Sequence, residues 1–193
     1  MKVLLVVLGI PLLLVLIVGG SYVSSRNEMV RKNETIKQSW SQVDVVLQRR
    51  ADLIPNLVAT VKGYAQQEQK VFGDIANARA ALLSARTPAG KIAANGQLDG
   101  AIGRLLAIAE NYPNLKSNQN FLALQDELAG TENRIAVERR RYNEAIQDYN
   151  TYIGLFPHSI FAGWAGFQRN NDYFEASSSA RDVPKVDFST PKQ

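Results

Sequence analysis

Residues 39–57 read SWSQVDVVLQRRADLIPNL, and apolar side chains recur in this stretch in alternating steps of four and three residues. The same spacing continues in both directions, and only the charged residues Arg50 and Glu68 interrupt it. The positions of this seam are Ile36, Trp40, Val43, Leu47, Arg50, Ile54, Leu57, Val61, Tyr64, Glu68, Val71, Ile75, Ala78 and Leu82. A sustained repeat of this kind predicts helices that pack lengthwise, as in a coiled coil or a helix bundle.

Pro55 follows the seam residue Ile54 and leaves two geometries open. Proline lacks a backbone N–H and disfavours helical geometry at the preceding residue, Ile54. One possibility is a single very long helix with a kink, and the other is two helices that meet in a tight turn. The unbroken phase of the seam favours the kink, whereas the usual length of helices favours the turn.

An uncharged stretch rich in leucine and valine precedes the seam, from Val3 to Val18, and GGSYV extends it to Val23. At about 1.5 Å per residue, a helix of this length crosses a hydrocarbon core of roughly 30 Å. We therefore expect residues 1–23 to be a retained transmembrane anchor that contacts the lipid bilayer through residues 3–23. A cleaved signal peptide is the alternative.

Basic residues near the anchor bear on its orientation. Only Lys2 precedes the apolar stretch, whereas four basic residues follow it closely: Arg26, Arg31, Lys32 and Lys37. The positive-inside rule then favours a cytoplasmic location for the rest of the chain, with the opposite side as the alternative.

Two more amphipathic helices are predicted after the seam. The stretch Thr87–Gly100 is rich in proline, glycine and asparagine and predicts a loop. A third helix follows it and stops at Pro113, among four asparagines, and the fourth runs from about Phe121 to Leu155. The apolar stripe of the fourth helix is Phe121, Leu124, Leu128, Ile135, Tyr142, Ile146, Tyr149, Ile153 and Phe156. Residues 24–156 are therefore expected to form an all-α helix bundle.

The rest of the chain differs in composition. Residues 157–176 carry five large aromatic side chains, which is too much aromatic surface for a free tail. We expect this segment to pack on the bundle or to rest at the membrane interface, where tryptophan and tyrosine are favoured. The lone histidine, His158, is expected to cap the fourth helix. Residues 177–193 are polar and predict a flexible tail.

Composition excludes several classes of site. The chain has no cysteine and one histidine, which excludes disulfides, thiolate chemistry and histidine-rich metal sites. Its net charge of +4 comes from 22 basic and 18 acidic residues without a basic patch, so no nucleic-acid partner is expected. No phosphate-binding, zinc-protease or serine-hydrolase motif is present. We therefore expect no catalytic residue, metal or cofactor.

Three stretches resemble the LemA family: SWSQVDVVLQRRADLIPNLVATVKGYA, AENYPNLKSNQNFLALQDELAGTENRIAVERRRYNEAIQDYN and IGLFPHSIFAGWAGFQRNNDYFEA. The resemblance covers about Ser21 to Ala176 with its order intact. It implies a bacterial membrane protein with one N-terminal transmembrane helix followed by an antiparallel four-helix bundle of long helices, and it favours the turn at Pro55. The family has no established enzyme activity. One departure is Arg26-Asn27, where family members often carry a Tyr-Asn pair.

Charged residues on the seam are expected to pair, because a lone buried arginine is very costly. Arg50 is expected to pair with Glu132, and Arg139 with Asp44 or Asp52. Such pairs would set the register of the helices, and a site for an anion or a partner peptide near the proline bend is the alternative. A structural or interaction role is therefore expected for Trp40, Asp44, Arg49, Arg50, Asp52, Pro55, Glu68, Pro113, Glu132, Arg139, Tyr142, Trp164 and Phe167.

Glu68 lies in the polar run of residues 66–70, where the seam is expected to lapse. Ala65 and Phe72 should carry the packing there instead. A catalytic carboxylate is the functional alternative for Glu68.

These features predict a membrane-anchored scaffold or adaptor of the bacterial envelope that acts through self-association or other envelope proteins, without catalysis. We expect a single-pass protein of the inner membrane and a homo-oligomer, with the bundle on the cytoplasmic side and the periplasmic side as the alternative. One competing hypothesis is an anion sensor or enzyme with a polar site near Arg50 and Glu132. Another is a secreted bundle that remains after signal cleavage.

Overall fold

One helix joins the apolar N-terminal segment to the heptad seam without interruption. A computed structural model describes the backbone of residues 2–175 and the side chains of residues 8–175, and its first helix, α1, is Lys2–Lys62. At about 1.5 Å per residue, a helix of this length extends roughly 90 Å. No change of secondary structure marks residue 23, so the apolar segment and the seam belong to one rod.

Pro55 lies inside α1, and the turn that the family resemblance favours there is wrong. Proline leaves the carbonyl oxygen four residues earlier, that of Ala51, without its helical donor. Arg79 supplies a replacement, because its Nε donates a hydrogen bond to this oxygen at 2.8 Å. The helix therefore continues to Lys62, and the chain reverses direction in residues 63–68.

The next two helices form a hairpin: α2 is Gln69–Ser84 and α3 is Pro88–Ala109. The loop predicted for Thr87–Gly100 is wrong, because α3 occupies almost all of it. The Thr87 hydroxyl caps α3 by accepting a hydrogen bond from the Gly90 N–H at 3.1 Å. Pro88 stands in the first turn, where a missing N–H costs no helical hydrogen bond.

A short helix, α4 (Pro113–Lys116), precedes the long helix α5 (Gln119–Gly154). The Asn118 side chain caps α5 by accepting a hydrogen bond from the Phe121 N–H at 3.1 Å. The predicted stop at Pro113 and the predicted fourth helix are both present. Every regular element in residues 2–175 is a helix, which confirms the all-α prediction.

The long helices α1 and α5 pack antiparallel. Their cross-helix contacts join Arg49 to Glu127, Trp40 to Tyr142 and Lys32 to Tyr152. We call the end near residues 63–68 the distal end and the end near Tyr22 the proximal end. The α2–α3 hairpin packs on the distal part of α1, so the proximal part consists chiefly of the α1–α5 pair.

The proximal pair is covered by the end of the described chain. Helix α6 is His158–Ala165, and it ends at Gly166, whose φ of 75° is a left-handed conformation that favours glycine. Residues 167–175, here called the strap, then run back along α5. The tail predicted for residues 177–193 lies outside the described residues.

Candidate functional site

A buried arginine joins three helices at the distal end. Arg50 on α1 is 7% exposed, and its Nη1 lies 3.0 Å from Glu132 Oε2 on α5. The same nitrogen donates to Asn95 Oδ1 on α3 at 3.1 Å and forms an ion pair with Asp99. We call Arg50, Asn95, Asp99 and Glu132 the Arg50 cluster. The structure thus brings Arg50 and Glu132 together, as the seam predicts.

The Arg50 cluster contains more acceptors than donors at its centre. Arg50 Nη1 carries two hydrogens but faces three oxygens, one each from Asn95, Asp99 and Glu132. The two carboxylate oxygens are buried and contact the arginine without hydrogen-bond alignment. With two carboxylates and one guanidinium, the cluster carries excess negative charge. An anion is therefore disfavoured here, whereas a cation or a hydrogen-bond donor is favoured.

A cavity of about 380 Å³ opens beside the cluster. Its lining is Arg50, Ile102, Leu106, Gln125, Asp126, Leu128, Ala129 and Glu132. The volume lies in the lower range of small-molecule sites, and an apolar wall with a few polar groups is typical of them. Among the described residues, no group of three His, Cys, Asp or Glu side chains is placed to hold a metal ion.

The other predicted charged residues of the distal half lie near the surface. Arg49 forms an exposed ion pair with Glu127 at 3.0 Å, and Asp44 pairs with Lys91 of α3. Asp52 accepts a hydrogen bond from Gln48 at 2.9 Å within α1.

Glu68 stands at the start of α2 and makes no side-chain cap. Ala65 and Phe72 are buried on either side of it, so the seam lapses there and the packing passes to these two residues, as predicted. The geometry gives no support to a catalytic role for Glu68.

Three of the predicted residues meet the strap in one aromatic cluster. The Trp40 ring lies 5.2 Å from that of Tyr142 and 6.2 Å from that of Phe174 on the strap, measured between centroids. Arg139 Cζ lies 4.6 Å from the centroid of Phe174, a cation–π geometry. The predicted pairing of Arg139 with Asp44 or Asp52 is therefore wrong. Nothing in the seam signals Phe174, because the strap follows no helical period.

Burial raises the pKa values of two tyrosines that lie beneath the strap. Desolvation and, to a smaller extent, the nearby Asp172 carboxylate raise the pKa of Tyr142 to about 12. Burial also raises the pKa of Tyr149. Both hydroxyls are held neutral, since a buried phenolate would be poorly solvated.

Asparagine side chains fasten the strap to α5. Asn150 Nδ2 donates to the Asn170 carbonyl at 2.6 Å, and Asn150 Oδ1 accepts from the Asn170 N–H at 2.9 Å. Asn143 makes the same pair of bonds with the backbone of Phe174, at 2.8 and 2.9 Å. These bonds satisfy backbone groups that an extended segment cannot satisfy by itself.

Helix α6 closes the proximal end against α1. Tyr22 contacts Phe161 edge-on at 5.6 Å and Trp164 at 6.4 Å, measured between ring centroids. His158 Nδ1 lies 3.0 Å from Ser25 Oγ, and its ring stacks on Tyr152. The histidine therefore joins α6 to α1 and α5, whereas the predicted capping of the fourth helix is wrong. Phe167 is partly buried against the core.

Comparison with known proteins shows what this chain is similar to. A protein-family model described as LemA family matches residues 39–188. Magnetosome protein MamQ 2 of Paramagnetospirillum magneticum is 28% identical over 186 residues, which cover 83% of this chain and 68% of that protein. Protein LemA of Metamycoplasma hominis is 25% identical over 170 residues, which cover 88% of this chain and 75% of that protein. This chain belongs to the LemA family.

Proposed function

We propose that this protein is a membrane-anchored helical scaffold that holds its distal hairpin at a fixed distance from a bilayer. The observation that carries the proposal is the continuity of α1 through Lys62. Beyond residue 23, the rod extends for roughly 60 Å at about 1.5 Å per residue. Because α1 is paired with α5 along this length, the rod is stiff. A stiff rod can hold the distal hairpin at a fixed distance from the bilayer without any catalytic activity.

The apolar segment supports a retained anchor over a cleaved signal peptide. The N-terminal helix is long and apolar enough to cross a membrane. The large apolar side chains from Leu8 to Val18 are exposed, which a soluble protein would not tolerate. Tyr22, at the end of this segment, also packs against α6. Intact mass of the native protein tests retention, since cleavage would remove about 2 kDa and leave the secreted form.

The scaffold acts through copies of itself or through other envelope proteins of a bacterial inner membrane. The MamQ relatives carry the name of a cellular structure, the magnetosome, rather than of a reaction. Exposed apolar side chains on the bundle, including Val45, Leu83 and Leu122, offer contact points for a partner. The basic residues after the anchor favour a cytoplasmic bundle, and labelling of a single introduced cysteine from either side of the membrane tests this orientation.

Cysteine crosslinking tests the scaffold directly, because the native chain has no cysteine. Val45→Cys and Leu122→Cys variants would be labelled in intact cells with a maleimide–benzophenone photocrosslinker, which needs a thiol on this chain alone, and the products would be analysed by mass spectrometry. Links between copies are expected for a self-assembling scaffold, and links to one other envelope protein for an adaptor. A chain that stays unlinked from both positions, with full labelling of the cysteines, would overturn the proposal.

The cavity beside the Arg50 cluster favours a second candidate function, the sensing of a small amine. Its excess of acceptors reverses the anion preference expected from the sequence. A diamine such as putrescine should raise the melting temperature of the native chain, and phosphate should not. The Glu132→Gln variant is the matched control, since it removes one carboxylate from the cavity. Equal responses of both chains to the diamine would reject the site.

A further inference from the structure

Helix α6 presents a face that the protein leaves uncovered. Phe156, just before the helix, is 80% exposed, and Ile160 and Trp164 are 45% and 69% exposed. Ile160 and Trp164 are four residues apart within α6, so they lie along one side of it. The opposite side packs inward through Phe161 and Ala162. No charged residue occurs in His158–Ala165 to make the outer face compatible with water.

This face lies at the end of the apolar segment of α1. Trp164 contacts Tyr22, and together with it forms an open groove of about 490 Å³ that continues along α1 through Gly19, Val18, Val15 and Leu14. Leu14 is about 12 Å from Tyr22 along the helix axis, at about 1.5 Å per residue. Trp164 therefore lies beside the last turns of the apolar segment, at the same level along the axis of α1.

We infer that α6 is a second membrane contact, which rests in the bilayer interface with Ile160 and Trp164 facing the lipid. The inference rests on the proposed function, since it requires α1 to be anchored. It explains why large apolar side chains are exposed on α6, which adjoins the anchor. Tryptophan and tyrosine are favoured at this depth, where one end of the ring is apolar and the other is wet.

The groove between Trp164 and α1 has the chemistry of an acyl-chain site. Its walls are almost wholly apolar, and its long axis follows the apolar segment. The lipid chains that surround the apolar segment of α1 can extend into this groove without a break. The α6 contact fixes the tilt of the rod, because a helix held at one point can swing, whereas a rod held at two cannot.

The two tryptophans of the chain provide the test, since Trp40 and Trp164 belong to different parts of the molecule. Trp40 lies 18 residues beyond Tyr22, or roughly 27 Å along α1 at about 1.5 Å per residue. The full chain would be reconstituted in vesicles of phosphatidylcholine with brominated acyl chains, which quench tryptophan on contact. Matched vesicles of unbrominated phosphatidylcholine serve as the reference.

The Trp40→Phe chain, which retains Trp164, is expected to lose most of its emission in brominated vesicles. The Trp164→Phe chain, which retains Trp40, is expected to lose little. Circular dichroism checks that both chains are folded. If Trp40→Phe fails to fold, the difference in quenching between the native chain and Trp164→Phe gives the same answer.

Other outcomes overturn the inference. Quenching of Trp164 by aqueous iodide instead of brominated lipid would place α6 in water. Resistance to both quenchers would mean that protein, such as a second copy, covers the face. Equal quenching of the two tryptophans would mean that the bundle lies flat on the membrane. Flotation of the vesicles separates these results from failure of the anchor: a chain that does not float removes the proposed function and the inference together.

Discussion

The two ends of the α1–α5 pair are covered by different kinds of structure. At the distal end the cover is the α2–α3 hairpin, whose backbone groups form hydrogen bonds within their own helices. Polar side chains there are not needed to bond the backbone, and they form the Arg50 cluster instead. At the proximal end the cover is the extended strap, whose backbone depends on Asn143 and Asn150. The polar side chains therefore set helix register at one end and replace missing backbone partners at the other.

This difference predicts how a substitution at each end changes the stability of the protein. Removal of Arg50 leaves two buried carboxylate oxygens without their counter-charge at the junction of three helices, so the cost falls on the global stability of the bundle. Removal of a proximal polar group releases the strap, which can regain its hydrogen bonds from water. The loss there should be smaller and largely local.

The largest effect is expected for Arg50→Met. This change leaves Asp99 and Glu132 without their counter-charge, and it should cost about 3 kcal/mol, at the lower end for a buried pair, because both carboxylate side chains are partly exposed. Chemical denaturation of the detergent-solubilised chain measures the loss. The neighbouring Arg49→Met is the control, because its ion pair is exposed and worth about 0–1 kcal/mol. Equal losses for the two variants would show that Arg50 does not set the register of the helices.

Asn150→Ala should have the next largest effect. The change removes three hydrogen bonds to the strap, two of them to the backbone of Asn170, and should cost about 2 kcal/mol. Limited proteolysis should cut the strap faster while α1 and α5 stay intact. Asn133→Ala, an exposed position on the same helix, should change stability by less than about 0.5 kcal/mol. A loss spread evenly over the whole bundle would abolish the contrast between the two ends.

Arg79→Met probes the repair of α1 at Pro55. The loss of the hydrogen bond to the Ala51 oxygen should cost about 1.5 kcal/mol, because the donor is charged. Pro55→Ala restores the helical donor, so Arg79→Met should cost less in that background. A double-mutant cycle measures the coupling. Purely additive losses would show that the two residues act independently.

At neutral pH the smallest effect is that of Tyr142, whose titration bears on stability only in alkaline solution. Because the pKa of Tyr142 rises from 10.0 in the unfolded chain to about 12 in the folded protein, its proton stabilises the fold fully below pH 10. That contribution is lost as pH rises from 10 to 12. Tyr142→Phe should flatten the fall in melting temperature over this range, and Tyr64→Phe, an exposed position, should not. An unchanged slope in Tyr142→Phe would exclude the tyrosine as the source.

The sequence predicts the helical features with a strong period and misses those that depend on a partner distant in the chain. The seam from Ile36 to Leu82 predicts the buried face of α1 and α2, and it points to the pairing of Arg50. Its unbroken phase favours a helix that passes through Pro55, but it cannot show how, because the carbonyl that the proline leaves without a donor accepts a hydrogen bond from Arg79, in a different helix.

Composition misleads between Thr87 and Gly100 for a related reason. Proline, glycine and asparagine are typical of loops, but Pro88 opens a helix, and Asn95 is held by Arg50 and Asp99. The spacing of Ala94, Leu98 and Ile102 is the helical signal in this region. The strap carries no period at all, so its contact with Trp40 and Arg139 could not be anticipated from the pattern of residues.

The most direct test is the distance between nitroxide labels at Gln38→Cys and Lys62→Cys in the full chain, reconstituted in nanodiscs and measured by pulsed electron resonance. These exposed positions lie on either side of Pro55. A continuous α1 predicts one narrow distribution near about 36 Å, from about 1.5 Å per residue. A distribution near about 20 Å would mean that the chain turns back at Pro55 into a neighbouring helix. That result would contradict the unbroken rod on which the scaffold depends.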